Sequence, residues 1–423
     1  MKSPGRRKVF RAPGQGTNTS TDKLSEAAFC TSGSISRPSE PESCRSDGVF
    51  VEEPRKTLGI GVICDTRESI PPPPKEDEHF QQELMALFMI LPDLVVTHLQ
   101  SKATEQGRSL YDLVEVYLQI GRRAEAVFVS KEWRKERVHI TETAVTDSDI
   151  QMFASTFNGV VPTHKRIGVP GTLHRISLIT HPARDELTVV GVTARVGRVV
   201  QGTVERMAAF LLEPDHDARS LVLIGKPGVG KTTVLRELAR LLSQRTSLNV
   251  VVVDKTCEIA GDSSTPHSAI GSARWMPVGT ADHQAAILRE AVENQSPDVI
   301  IVDEISTLQE VEAARTISQR GVRLIATIHG DTLPEILNCK ERGNLFGGQM
   351  SVAISDSAAA MRADKRKTVS KRAREPVFNA ALELHEREKW IYHPKVKLAV
   401  DTYFNGEPVD AQELTPGTNH CLW

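Results

Sequence analysis

Residues 225 to 233 read Gly-Lys-Pro-Gly-Val-Gly-Lys-Thr-Thr directly after the apolar run Leu221-Val222-Leu223-Ile224. This satisfies GxxxxGK[ST] in the strand-then-helix setting the pattern requires, and it constrains the fold more than any other stretch of the chain. Such a loop turns backbone N–H groups toward phosphate, and the helix opened by Lys231-Thr232-Thr233-Val234-Leu235 adds its positive end. Gly225, Gly228 and Gly230 are read as the places where the backbone takes dihedrals that other residues avoid. The nucleotide-binding set is then Gly225, Lys226, Pro227, Gly228, Val229, Gly230, Lys231, Thr232 and Thr233. In it Lys231 neutralises the β and γ phosphates, and Thr232 offers a hard hydroxyl oxygen to Mg²⁺. The expected ligands are ATP and Mg²⁺. A chance Gly-rich turn is the plainer alternative, and the flanking strand and helix set it aside.

From Ser220 onward apolar runs alternate with helical periodicity, the pattern of a parallel sheet wound with helices. Asn249 to Val253 ends in Asp254, Val299-Ile300-Ile301-Val302 ends in Asp303-Glu304, and Arg323 to Ile328 leads into His329-Gly330. Ligand chemistry in an open parallel sheet collects at the carboxyl ends of strands, where all these polar residues fall. An apolar run ending in Asp-Glu is weak evidence alone, but about 70 residues after a phosphate loop it is specific. Asp303 is read as the second magnesium ligand and Glu304 as the general base that orients water for in-line attack on the γ-phosphorus. Glu258, four residues past Asp254, is the rival base, and Thr327 and His329 are suited to sensing the γ-phosphate or relaying its loss.

The region before the phosphate loop reads differently. Residues 1–75 open with Lys2, Arg6, Arg7, Lys8 and Arg11, carry no acid before Asp22, and continue in Ser, Thr, Gly and Pro with little apolar periodicity. They are expected to be disordered, with the composition of an organelle transit peptide; a plain disordered tail is the alternative. After the Pro71–Pro74 spacer, Phe80, Leu84, Leu87 and Phe88, then Leu94, Val95 and Leu99, then Leu110, Leu113, Val114 and Leu118 predict three short helices. Strands are expected at Ala124 to Val129 and Val138 to Thr141, a helix at Asp147 to Thr156, and a hairpin from Gly171 to Ile179 with Leu187 to Val192. A further helix, Val204 to Leu212, leads to the phosphate loop. The expected fold is thus a P-loop NTPase of the RecA-like or AAA type: a disordered region at 1–75, a small α+β domain at 76–200, the nucleotide-binding core with a C-terminal extension at 201–407, and a tail at 408–423.

These segments together resemble one family. Asp254-Lys255-Thr256-Cys257-Glu258-Ile259-Ala260-Gly261-Asp262, Pro266 to Gly271, Glu290 to Asn294, Val302 to Ile305 and Ala326-Thr327-Ile328-His329-Gly330 are similar to the P-loop ATPases of cyanobacteria and plastids that look like the stage III sporulation protein AA. Leu173 to Ser177, Arg195 to Arg198, Leu345 to Gly348 and Lys367 to Val369 extend the resemblance over residues 78 to 407. It implies a core related to secretion and pilus motor ATPases, and a homo-oligomeric ring such as a hexamer. It also implies an arginine supplied by a neighbouring subunit, with Arg175, Arg195, Arg198 and Arg274 as candidates. Trp275 stands where the family has a second basic residue, and Ser306-Thr307 where a Gly is usual. Many relatives end in a module that binds single-stranded nucleic acid; only seventeen residues follow Asn405-Gly406, too few to fold into one. The basic run Arg362, Lys365, Arg366, Lys367, Lys371, Arg372 and Arg374 lacks interleaved aromatics, so a solvated face is favoured over a phosphate-backbone site.

A formal net charge of −2 excludes any global attraction to nucleic acid, and Pro92 and Asp93 break the Leu84 to Val96 stretch well short of a membrane span. The six cysteines form no CxxC pair, so neither a zinc site nor a disulfide framework is indicated. The favoured function is an ATP-hydrolysing ring acting on a protein or nucleic-acid partner in the plastid stroma, in organelle development or gene expression; the cytoplasm is the alternative location. A nucleotide-gated switch with little hydrolysis is the second reading and a P-loop phosphotransferase the third.

Overall fold

The computed structural model describes residues 76–130, 134–156, 165–182, 188–204, 207, 220–245, 247–361, 367–386 and 389–414. The N-terminal region with its transit-peptide composition, the expected helix at Val204 to Leu212 apart from Val204 and Met207, and Arg362, Lys365 and Arg366 lie outside the described residues.

The first sheet has six strands, β1 (Leu113–Gln119), β2 (Arg123–Val129), β3 (Lys135–Ala144), β4 (Arg166–Gly168), β5 (Arg175–His181) and β6 (Thr188–Arg195). They lie in the order β3-β2-β1-β6-β5-β4, with every neighbouring pair antiparallel. Helices α1 (Glu76–Phe88), α2 (Asp93–Glu105) and α3 (Asp147–Ser155) share its core. Phe80, Leu84, Leu87 and Phe88 of α1 are buried at the spacing of one helix face. Thr146 caps α3, accepting from the Asp149 N–H while Asp149 accepts from the Thr146 N–H, which is why the helix starts there.

The third expected helix is a correction. Leu110–Asp112 form a single 3-10 turn, and Leu113, Val114 and Leu118 belong to strand β1. Their spacing satisfies a helical period, but Val114, Val116 and Tyr117 favour a pleated surface, and β1 is clamped between β2 and β6.

The second sheet carries the phosphate loop. Its strands are β7 (Leu221–Gly225), β8 (Val250–Asp254), β9 (Arg274–Pro277), β10 (Val299–Val302), β11 (Arg323–His329), β14 (Ala380–Leu384), β15 (Trp390–His393) and β16 (Gln412–Leu414); β12 (Gln349–Ala353) and β13 (Thr368–Arg372) form a separate antiparallel ribbon. The order is β16-β15-β14-β7-β11-β10-β8-β9, parallel from β14 to β9 and antiparallel across β14-β15-β16. Residues 412–414, expected as tail, close that edge.

Each central strand buries both faces. Leu221, Leu223, Val250, Val252, Val299 and Ile301 pack with α4 (Lys231–Arg245), whereas Val222, Ile224, Val251, Val253, Ile300 and Val302 pack with α5 (Gln284–Asn294), α6 (Leu308–Gln319), α7 (Leu333–Asn338) and α8 (Val396–Phe404). This doubly wound parallel sheet with a phosphate loop after its β7 strand is a P-loop NTPase fold. Ser306-Thr307, the departure from the family pattern, supplies the start of α6: Thr307 accepts from the Glu310 N–H, and Glu310 in turn accepts from the N–H groups of Ser306 and Thr307. No described helix is long and apolar enough to cross a membrane.

The loop that follows β8 ties the two sheets. Gly168 of β4 donates its N–H to Asp262 Oδ2 at 3.1 Å, and a Cβ at Gly168 would come within 2.3 Å of the Asp262 Cβ. Gly168→Ala is therefore expected to destabilise the chain by about 1–3 kcal/mol, seen as an earlier midpoint in urea unfolding. His267 Nε2 lies 2.7 Å and His79 Nδ1 2.8 Å from Glu83 Oε1 of α1. These three side chains place ligand atoms within 4.8 Å of one another, a metal-like spacing. His267 Nδ1, however, accepts the Ala269 N–H at 3.0 Å, so its Nε2 carries the proton and donates to Glu83. The cluster is a hydrogen-bonded tie between α1 and the core.

Candidate nucleotide site

The β7 strand delivers the phosphate loop at its carboxyl end and α4 leaves from it at Lys231. Gly228 and Gly230 have φ of +83° and +101°, in the left-handed region that glycine enters without strain. Gly225 differs from expectation: its requirement is space, since a Cβ there would lie 2.8 Å from Val229 Cγ2 and 2.9 Å from the Leu384 carbonyl oxygen. Lys231 is only 8% exposed and donates to the carbonyl oxygens of Gly225 at 2.7 Å and Lys226 at 2.9 Å, which centres the ammonium inside the loop. Burial lowers its pKa, and the charges of Glu304, Asp303 and Glu258 act against that shift. Three carboxylates from two other strand ends are thus within electrostatic reach of the loop lysine. Thr232 and Thr233, half-buried, open α4 directly behind it.

Asp303 follows β10 and is 6% exposed; its Oδ2 accepts the Thr256 hydroxyl at 2.6 Å. The buried Thr327 hydroxyl donates to the Asp303 carbonyl oxygen, so it braces Asp303 from β11. Asp254, fully buried at the end of β8, accepts three backbone N–H groups, from Glu258, Ile259 and Ala260 at 2.9 to 3.1 Å, and draws the loop back onto the strand end. Burial pushes both carboxyls up, Asp254 further through its neighbour Asp303 and Asp303 through Glu258 and Glu304; the N–H groups on Asp254 and the Thr256 hydroxyl on Asp303 oppose the rise. Asp303 offers hard carboxylate oxygens of the kind a divalent cation takes.

Glu304 and His329 come together: Glu304 Oε2 lies 3.3 Å from His329 Nε2, and His329 Nδ1 lies 3.5 Å from Lys231 Nζ. Because a lysine ammonium only donates, His329 presents its Nδ1 lone pair to Lys231 and its Nε2–H to Glu304. Glu258 is held elsewhere. It pairs with Arg175, which reaches across from β5 of the first sheet, and its backbone carbonyl accepts from buried Arg236 of α4. Arg236 also donates to the Ile259 and Arg198 carbonyls, and burial lowers its pKa to about 10.

The four candidate arginines separate in the structure. Arg175 is occupied by Glu258, and Arg198 lies over the rings of Phe80 and Tyr111 and donates to the Leu113 carbonyl. Arg195 pairs with Glu115 at 3.1 Å. Arg274 is exposed on β9, the edge strand, with a 3.5 Å contact to the Gln295 carbonyl. Sequence reading missed Thr256, Arg236 and the bracing role of Asp254. For Thr256, a hydroxyl two positions past the end of β8, the place after a strand end was the available signal; Arg236 and Asp254 carried none beyond their charge.

The family model for sporulation stage III, protein AA, matches residues 110–352. The uncharacterized protein ycf45 of Porphyra purpurea is 38% identical over 324 residues, 77% of this chain and 54% of its own length. The protein SEEDLING PLASTID DEVELOPMENT 1 of Arabidopsis thaliana is 38% identical over 325 residues, 77% of this chain and 45% of its own. The chain therefore spans about half the length of these two relatives. Among solved structures, the Legionella pneumophila ATPase DotB is similar at 15% identity and a TM-score of 0.39, over 66% of this chain and 80% of that one. The matched stretch includes Arg175, Lys231 and His329, and the chain belongs to the family of sporulation stage III protein AA.

Proposed function

We propose that this chain binds Mg·ATP and hydrolyses it. The observation that supports this most is the link from the buried Lys231 ammonium through His329, 3.5 Å away, to Glu304, 3.3 Å further on, beside Asp303 at the same strand end. Gly228 to Thr233 would cradle the phosphates, and Thr232 with Asp303 would hold Mg²⁺. The ion supplies charge neutralisation at the phosphate oxygens. Glu304, oriented by the His329 Nε2–H, is placed to take a proton from water, while Thr327 and Thr256 keep Asp303 fixed. Loss of charge at the loop is relayed from Lys231 through His329 to Glu304.

A second reading, a nucleotide-gated switch with little turnover, is favoured by the engagement of both candidate bases, Glu304 with His329 and Glu258 with Arg175. Steady phosphate release from Mg·ATP decides between them: continuous turnover supports the enzyme, and tight binding with no release supports the switch.

The family and the edge position of β9 support a homo-oligomer in which Arg274 completes a neighbour's site. Arg274→Ala is expected to lower kcat by about 10²-fold or more with nucleotide affinity intact, and mixing it with an inactive Glu304→Gln chain should restore part of the rate. The plastid relatives support a plastid location and a role in organelle development. The partner is a protein or a nucleic acid; Lys367 pairs with Asp356, and Arg372 with Asp401 and Glu375, so the described part of the basic run supports a solvated face.

A further inference from the structure

On the side of the phosphate loop away from Asp303, an alternating row of charges runs from the loop into the core. Lys226 Nζ lies 2.9 Å from Asp331 Oδ2. Asp331 Oδ1 lies 3.6 Å from His385 Nδ1, and His385 Nε2 lies 3.0 Å from Glu383 Oε2. Glu383 is buried on β14; its other oxygen, Oε1, accepts from His393 Nε2 at 3.0 Å and from the Leu333 N–H at the start of α7 at 2.7 Å. Burial would raise the Glu383 carboxyl, and the bonds from His393, Leu333 and His385 outweigh it, holding it below the usual carboxylate range.

The row links three segments that meet the nucleotide site. Lys226 gives one of the two carbonyl oxygens that hold the Lys231 ammonium. Asp331 stands two residues past His329. β14 runs beside β7 with Leu384 opposite Gly225, so His385 emerges level with the phosphate loop. His385 is the pivot, because both of its ring nitrogens face carboxylate oxygens. An imidazolium donates from both nitrogens, whereas a neutral ring donates from one and turns a lone pair toward the second carboxylate. The charged groups around the ring are Asp331 with Lys226 behind it, and Glu383 with His393 behind it.

We propose that His385 is a proton-dependent positioning residue for the nucleotide site: protonated, it fastens Asp331, and through it Lys226 and the segment after His329, to the buried anchor Glu383. On losing its proton the ring keeps Glu383 and releases Asp331, and the phosphate loop loses its outer brace. This rests on the nucleotide-binding reading above. It makes affinity for Mg·ATP, and only secondarily the rate of chemistry, depend on the protonation of His385.

The test uses the full chain. KM and kcat for Mg·ATP are measured as a function of pH for wild type, His385→Gln and His385→Arg, and the ring nitrogens of His385 are followed by ¹⁵N resonance in histidine-labelled wild type. KM is expected to rise about three- to tenfold as the ring loses its proton, with kcat changed less than twofold. The KM midpoint should coincide with the His385 titration. His385→Gln should show the raised KM at every pH, and His385→Arg, which keeps donors toward both carboxylates, the low one. If nucleotide binds and His385→Gln keeps the wild-type KM and its pH dependence, or the ring titrates without KM following it, the positioning role is overturned while the nucleotide reading stands. A wild-type chain that takes no Mg·ATP at any pH overturns both.

Discussion

Lys231→Ala is expected to abolish measurable nucleotide binding. The ammonium is buried and centred by the carbonyls of Gly225 and Lys226, so it meets phosphate without reorganising, and each charge-assisted bond it makes there contributes about 1.5–3 kcal/mol. Its removal does more than delete those bonds. Asp303 and Glu304 act on the same point, and without the lysine their carboxylates face an anionic ligand with no opposing charge from the loop. The combined loss is about 4 kcal/mol or more, roughly a thousandfold in Kd, read by titration calorimetry with Mg·ATP. The fold should survive, because β7 and α4 are held by Leu221, Leu223, Leu235 and Leu238 in the core beneath. Retained affinity within about fivefold of wild type would remove the phosphate loop from the account.

Glu304→Gln is expected to separate binding from chemistry. The amide keeps the size of the carboxylate and accepts the His329 Nε2–H through its oxygen, so the site should still close on Mg·ATP with near-normal affinity. It cannot take a proton from water, and kcat should fall by about 10²-fold or more, the usual weight of a general base. The rival is specific: Glu258→Gln in the same assay. Glu258 is committed to Arg175 and hung from Arg236, and its replacement is expected to weaken the tie between the sheets with a smaller effect on turnover. Near-normal turnover in Glu304→Gln together with a collapse in Glu258→Gln would exchange their roles.

The parts of this site that could be read from sequence are those in which one short segment carries both the fold and the chemistry. Leu221 to Thr233 is strand, loop and helix start in sequence, and Val299 to Glu304 is a strand with its acids at the end, so local pattern was enough. β1 was misread because Leu110, Leu113, Val114 and Leu118 satisfy a helical period, and only its pairing with β2 and β6 decides the matter. The Arg175–Glu258 pair joins residues 83 positions apart on different sheets, and no local signal marks it. Gly225 was read as a glycine needing an unusual dihedral, whereas it ends strand β7 and its requirement is space, because the approach of Leu384 from β14 exists only once the sheet has formed. Glu383 and His385 passed unnoticed likewise: β14 follows β7 by more than 150 residues in sequence, yet lies next to it.

Phosphate release from Mg·ATP by the full chain, beside Glu304→Gln and with mass by light scattering, tests the central claim most directly. The account predicts steady turnover by an assembled wild-type chain and turnover at least about 10²-fold slower in an equally assembled mutant that still binds nucleotide. Equal rates in the two proteins, or tight nucleotide binding by wild type with no phosphate released, would contradict it.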